Sequence, residues 1–215
     1  GLGTRTALLA AMSYLLAHSL YKGALFMVAG IIDHQTGRKD FLDTGGWARY
    51  LPVTSACAGL AALSLAGVMP LFGFIAKEQL LEAGLNHGHA LAPLFSAAIV
   101  VAATLGVAVA AVIGIRPWFG KPAALTHTPS EAPPAMLLGP ALLAGLGLLL
   151  GLIPGLIDRS LLSAAASASL GERVTQPLAL WHGINTALLI SLGAVLVGLV
   201  LFRYWQDFRH ATRWT

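Results

Sequence analysis

Long apolar runs alternate with short polar connections along this chain. Five runs stand out: segment A from Thr6 to Ile32, B from Leu51 to Leu85, C from Leu91 to Ile115, D from Ala135 to Pro154, and E from Asn185 to Trp205. Each reaches the roughly 18–20 residues that a helix needs to cross the hydrocarbon of a bilayer. The strict alternation of polar and apolar positions that marks a membrane β-barrel is absent. Helices satisfy their own backbone groups, as lipid demands. The expected fold is therefore all-α: a polytopic helical membrane protein with about five transmembrane segments.

The connections fall at 33–50, 86–90, 116–134 and 155–184. The last contains "LIDRSLLSAAASASL", with Leu156, Ile157, Leu161, Leu162 and Leu170. That pattern fits a short helix lying on the membrane, and equally an irregular loop.

Segment B departs from the pattern because it is too long. A straight helix over its 35 residues would measure roughly 50 Å, against a hydrocarbon core of about 30 Å. Pro70 removes a backbone donor and clashes with the carbonyl of Ala66. Gly67 and Gly73 flank it and lower the cost of irregular backbone. Residues 67–74 are therefore expected to form a break between two half-helices. Broken helices are tolerated at membrane depth where they are buried or line a wet cavity, and they commonly build ion sites.

Composition agrees with the membrane reading. Of 215 residues, 57% are hydrophobic and 10% charged, against about 25% charged in an ordinary soluble domain. The net charge of +4 does not point to nucleic acid, because its cations are scattered and no basic run is interleaved with aromatics. If A through E all cross, eight loop Lys and Arg residues share one side: Arg38, Lys39, Arg49, Arg116, Lys121, Arg203, Arg209 and Arg213. Arg5, Arg159 and Arg173 occupy the other. The positive-inside rule then puts the A–B loop and the C-terminus in the cytoplasm. The lone Cys57 sits in an apolar run and reads as a small core residue. A chain that opens at Gly1 and enters an apolar run almost at once is expected to be a piece of a longer protein. It lacks the basic n-region of a signal peptide.

Two lysines remain, both inside segments. A charge at the bilayer centre costs about 2.5–3.5 kcal/mol on insertion scales, so each is a functional candidate by default. Lys22 lies at least ten residues from either end of A, roughly 15 Å of helix, which is far for snorkelling. Tyr14, His18 and Lys22 recur every four residues and should form one stripe. Their donors and acceptors suit a proton relay, with His18 and Lys22 expected to act as a coupled pair. Lys77 follows the expected break in B by about one turn. Glu78, beside it, and Asp33, at the end of A, are further candidates.

Other clusters carry less. His87 and His89 in "HGH" offer too few ligands for a metal site. Asp33, His34, Arg38, Lys39 and Asp40 read as a solvated loop. No nucleophile elbow, phosphate loop or paired-carboxylate arrangement is present. Nothing in the chain reads as a conventional enzyme active site.

"AHSLYKGALFMVAGIIDHQTGRKD" (17–40) and "LAALSLAGVMPLFGFIAKEQLLEAG" (60–84) resemble the proton-translocating family shared by Mrp-type multisubunit Na⁺/H⁺ antiporters and respiratory complex I. "GIIDHQTG", the lysine after "GFIA" and "LALWHGINTALLISLG" (178–193) favour its antiporter A-subunit branch. The resemblance implies that A and B correspond to the family's eleventh helix and its discontinuous twelfth, joined in the cytoplasm. It implies that His18 and Lys22 match the polar pair of the eleventh helix and Lys77 the terminal lysine of a half-channel. Residues 1–205 would then be part of an antiporter-like transmembrane domain, and 206–215 a cytoplasmic tail. Implied partners are the other subunits of a membrane antiporter complex, protons and a monovalent cation such as Na⁺. The implied location is the bacterial plasma membrane, and no cofactor is implied. The family's first half-channel has no counterpart in this sequence.

Three readings follow. The first is half of an ion path in a cation/proton antiporter subunit. The second is a proton-pumping membrane subunit of an NADH:quinone oxidoreductase-type complex. The third is a structural bundle without transport activity of its own.

Overall fold

The computed structural model describes residues 4–37, 45–85, 92–119, 128–171, 178–181 and 183–212. Arg38, Lys39, Asp40, Lys121, Arg173 and Arg213 lie outside the described residues, as do Asn86, His87 and His89. The described elements are α1 (Arg5–Thr36), a 3-10 turn (Trp47–Arg49), α2 (Pro52–Ala66), α3 (Phe72–Leu85) and α4 (Ala92–Ile115). They continue with α5 (Pro134–Leu152), the single turn α6 (Gly155–Ile157), a π-helical turn (Asp158–Leu162), α7 (Ser163–Leu170) and α8 (Thr186–Thr212). Four stretches are long and apolar enough to cross a membrane: Arg5–Thr36, Ala92–Ile115, Pro134–Leu152 and Thr186–Trp205. The fold is an all-helical membrane bundle, as the hydropathy pattern predicts.

Local chemistry sets the helix ends. Thr4 caps α1 by accepting from the Ala7 N–H, and Gly37, at φ 65°, closes it in the left-handed region. Proline opens both α2 and α5, where its missing N–H costs nothing. At the start of α2 the carboxylate of Glu131 replaces a local cap. Its Oε2 accepts from the backbone N–H of Val53 at 2.7 Å and of Thr54 at 3.3 Å, and its Oε1 accepts from the Thr54 hydroxyl at 2.6 Å.

Segment B is broken, and its halves run on in one direction. Their contacts with α1 come in order: Val28 and Ile32 cluster with Leu51, Cys57 and Ala58, whereas Ala17 to Leu25 cluster with Ala61 and Phe72 to Ala76. Descending α1 thus meets α2 first and α3 next. The order repeats on α4, where Ser96 and Ile99 face Gly84, Gly106 approaches Leu65, and Gly114 abuts Ala62. Two half-helices together make one crossing. On α5, Leu143 meets Gly23 and Gly151 meets Pro70 to Phe72, so α5 runs parallel to α2 and against α1. Gly198 of α8 packs on Thr104 and Val107, while Asn185 lies beside α3's last turn, so α8 runs parallel to α4. Directions alternate as five successive crossings require. The A–B and C–D connections meet at one end, where the Trp47 N–H donates to the Pro117 carbonyl at 3.1 Å. Small residues let these backbones approach closely.

The connection after α5, left open between helix and loop by its sequence, is helical from Gly155 to Leu170. It packs on the first turns of α1 through Ala166 and Leu9. Asp158 accepts from the Ser163 hydroxyl at 3.1 Å and from the Leu178 N–H at 3.2 Å, pinning the chain that leads into α8.

Candidate functional site: the broken helix and its lysine

Helix α2 ends at Gly67, at φ 70° and ψ 48°, a conformation natural to glycine. The Gly67 N–H donates to the Ser64 carbonyl and the Val68 N–H to the Leu63 carbonyl, both at 3.0 Å. This is a Schellman closure. It leaves the Ala66 carbonyl over, and the Lys77 Nζ donates to that oxygen at 2.9 Å. In return, the Gly73 N–H near the start of α3 donates to the Ser64 Oγ at 3.3 Å. Each half-helix thus satisfies an exposed backbone group of the other, which lipid requires of an interrupted helix.

The two glycines are needed for different reasons. A Cβ on Gly67 would meet the Lys77 stem, and one on Gly73 would run into the Ser64 carbonyl. Pro70 itself is held in the bend by Gly151 of α5, whose bare Cα lies against the Pro70 carbonyl. The expected break is observed but is shorter than 67–74: α2 ends at Ala66 and α3 begins at Phe72, which places Gly73 in the first turn of α3.

Helix α3 is the most enclosed element of the bundle, with eleven of its fourteen residues buried. Lys77, Glu78 and Gln79 are exposed by only 5%, 6% and 8%. The ammonium of Lys77 lies against the carbonyl end of α2, where the helix dipole favours a cation. It borders a cavity of about 280 Å³ between α1, α2, α3 and α4, also lined by Tyr14, Tyr21, Ser64 and Gly73, with Ala98, Ala102 and Gly106 opposite. At about 30 Å³ of liquid volume per water, such a space can hold several.

The stripe expected on α1 divides. His18 Nδ1 and the Tyr21 hydroxyl are 2.9 Å apart, and Tyr21 also interacts with Tyr14. These three rings cluster beside the cavity, with Tyr14–His18 centroids at 6.1 Å and His18–Tyr21 at 5.2 Å. Lys22 points the other way. It is exposed on the outer face of this chain with its Nζ 5.3 Å above the Phe26 ring. Helix geometry gives the reason: eight residues at 100° overshoot two full turns by about 80°, so Tyr14 and Lys22 point in directions that far apart. Asp33 is exposed on the last turn of α1. The structure therefore gathers Lys77, Tyr14 and His18 about the break, and leaves Lys22 and Asp33 outside it. Tyr21 and Ser64 belong to the site and were not read from the sequence. Tyr21 sits at i+3 from His18, the spacing that could have revealed it.

Known proteins agree with this architecture. Residues 1–106 match the family described as "NADH:quinone oxidoreductase/Mrp antiporter, TM". Through those residues, just under half of its length, the chain is similar to that family. It is 37% identical to the "Na(+)/H(+) antiporter subunit A1" of Staphylococcus haemolyticus (strain JCSC1435), over 94% of this chain and 27% of the relative. The protein of the same name from Staphylococcus aureus (strain N315) is 34% identical, over 93% and 26%. The chain thus spans about a quarter of the length of these relatives. Among solved structures, the Mrp complex from Dietzia sp. DQ12-45-1b superposes with a TM-score of 0.79 at 35% identity, covering 94% of this chain and 22% of the matched chain. The membrane-bound sulfane sulfur reductase, an archaeal respiratory membrane complex, gives 0.69 at 29% identity, covering 96% and 33%.

Proposed function

We propose that this chain supplies half of a transmembrane proton path in a subunit of a secondary monovalent cation/proton antiporter. The observation that carries the reading is the Lys77 ammonium on the Ala66 carbonyl, inside a broken helix and beside a polar-edged cavity. A charged lysine completes the carbonyl end of α2. A neutral one leaves that end open to another cation, so proton release and cation arrival compete for one place. His18, Tyr14 and Tyr21 extend the path along α1 through hydrogen bonds. Lys22, on the outer face, continues it toward parts of the subunit beyond this chain. The transported cation is Na⁺, the partners are the other subunits of a multisubunit complex, and the setting is the bacterial plasma membrane. The chain works as a transport subunit and not as an enzyme.

The test is Lys77→Ala in the complete assembly, followed as cation-dependent proton flux in membrane vesicles. Flux should be abolished while the complex still assembles. Normal flux from an assembled Lys77→Ala complex would overturn the reading.

A second reading is a proton-pumping subunit of a redox-driven complex, favoured by the likeness to an archaeal respiratory membrane complex. A gene neighbourhood of small antiporter subunits supports the first reading; one of flavin and iron–sulfur proteins supports the second.

We also propose that the A–B loop and the C-terminus are cytoplasmic, on the charge bias of eight against three. Thr128 and Ser169 are both exposed, at opposite ends of the bundle. With Cys57 replaced, a cysteine at Ser169 should react with an impermeant external thiol reagent in intact cells, and one at Thr128 should not. The reverse pattern would invert the topology.

A further inference from the structure

Four of the six residues from Lys77 to Glu82 are polar, and they do not share one face of α3. At 100° per residue, Glu78, Gln79 and Glu82 fall within about 100° of arc, while Lys77 lies outside it, about 100° from Glu78 and about 140–160° from the other two. Lys77 borders the cavity; Glu78, Gln79 and Glu82 do not line it. The helix therefore carries a second polar face, leading from the level of Lys77 to the helix end. Glu78 and Gln79 on that face are buried, and Gln79 Oε1 has no hydrogen-bond partner among the described residues.

Glu82 lies one turn beyond Glu78 and is half-buried. Its Oε1 accepts from the Asn185 Nδ2 at 2.9 Å, across more than a hundred residues of sequence. The other end of the Asn185 amide is also engaged, with Oδ1 accepting from the Leu188 N–H at 2.8 Å as the cap of α8. The capped N–H requires the oxygen on its side, so the amide nitrogen must face the carboxylate. Around this bond the chain is packed down: Leu178, Leu180 and Leu188 rest on the core that contains Phe72 to Ala76, and Asp158 holds the Leu178 N–H.

We propose that Glu78 and Glu82 carry protons between the level of Lys77 and the end of the bundle where α3 finishes, and that Asn185 is the latch that closes this route. The inference rests on the reading of Lys77 as an ion-path residue. Two buried or half-buried carboxylates at i, i+4 can pass a proton from one to the next, directly or through water. The Asn185 amide occupies the outer carboxylate and ties it to the first turn of α8. Releasing it frees Glu82 to exchange with the aqueous phase.

Two substitutions in the complete reconstituted assembly separate carrier from latch. Glu82→Gln keeps an oxygen that accepts from Asn185 but cannot carry a proton. Asn185→Ser keeps a cap for α8 but no longer reaches Glu82. Glu82→Gln should lower cation-driven proton flux at least tenfold in a complex of normal yield and thermal stability. Asn185→Ser should retain flux and raise the proton leak measured without a cation gradient several-fold. Wild-type flux in Glu82→Gln, or a wild-type leak in Asn185→Ser, would overturn the proposal, provided Lys77→Ala in the same preparation is inactive. Normal flux in Lys77→Ala would instead overturn the path on which the proposal rests.

Discussion

Lys77 and Lys22 sit in one membrane bundle and meet opposite conditions. Lys77 is exposed by only 5% and donates to the open carbonyl of a broken helix, with a cavity beside it. Lys22 stands on an unbroken helix, exposed on the chain's outer face, with an aromatic ring as its described contact. A cation over an aromatic face gains about 0.5–1 kcal/mol when exposed, less than the cost of an ammonium group at the bilayer centre. Lys77 is thus provided for by this chain's own backbone, and Lys22 is not. The difference separates a lysine enclosed by this chain from one that faces outward from it. The relatives, about four times longer, have the length to cover that outer face.

The largest expected effect contrasts the two directly. Lys77→Met should abolish cation-dependent proton flux, because the carbonyl end of α2 loses its only described side-chain donor. Lys22→Met should reduce flux severalfold without abolishing it, since the proposed path only passes through Lys22 on its way outward from the cavity. Both are read as initial flux at equal complex yield. Equal losses from the two would erase the distinction between a self-contained and a shared position.

Next in size is a contrast between two glycines, measured as thermal stability of the assembly. A Cβ at Gly73 would press into the Ser64 carbonyl, which is backbone and cannot swing aside. Gly73→Ala should cost about 1–3 kcal/mol, the usual penalty for overpacking. Gly59, within α2, has open space where a Cβ would lie. Gly59→Ala should be neutral or stabilise by up to about 1 kcal/mol, through the lower backbone entropy of alanine. A Gly73→Ala complex of unchanged stability would mean that the half-helices do not pack as closely as described.

These contrasts mark what the sequence could and could not reveal. The five crossings were legible because a span is a property of a local window: length and apolarity suffice. The break was legible because Pro70 and the excess length of B are also local. What lies around each lysine is not local. Lys77 owes its partner to Ala66 across a loop, and Lys22 owes its exposure to the helix phase that turns it from Tyr14. Repeats of four residues drift against a helical period of 3.6, so a stripe spaced i, i+4, i+8 already curves around the axis. Glu131 and Asn185 were illegible for another reason. Each acts on an element 77 or 103 residues away in sequence, and no pattern within a window carries that information. The helical form of Gly155 to Leu170, which packs on the first turns of α1, is hard to read because its small and polar residues give little period.

The smallest expected effect decides how α1 passes charge along its length. His18 could be coupled to Lys22, as their i, i+4 spacing suggests, or to Tyr21, with which it shares a hydrogen bond of 2.9 Å. Two double-mutant cycles on flux distinguish these. His18→Ala with Tyr21→Phe should be clearly non-additive, with a coupling of about 0.5 kcal/mol or more, because each single change breaks the same bond. His18→Ala with Lys22→Met should be additive within about 0.3–0.5 kcal/mol, the range for groups without a shared contact. The reverse result, with Lys22 coupled and Tyr21 independent, would mean that the ring of His18 turns outward when the rest of the subunit packs against α1. The lysine on the outer face would then belong to the same relay as the cavity, and the division between a self-contained and a shared half of the site would fall elsewhere, between His18 and Lys77.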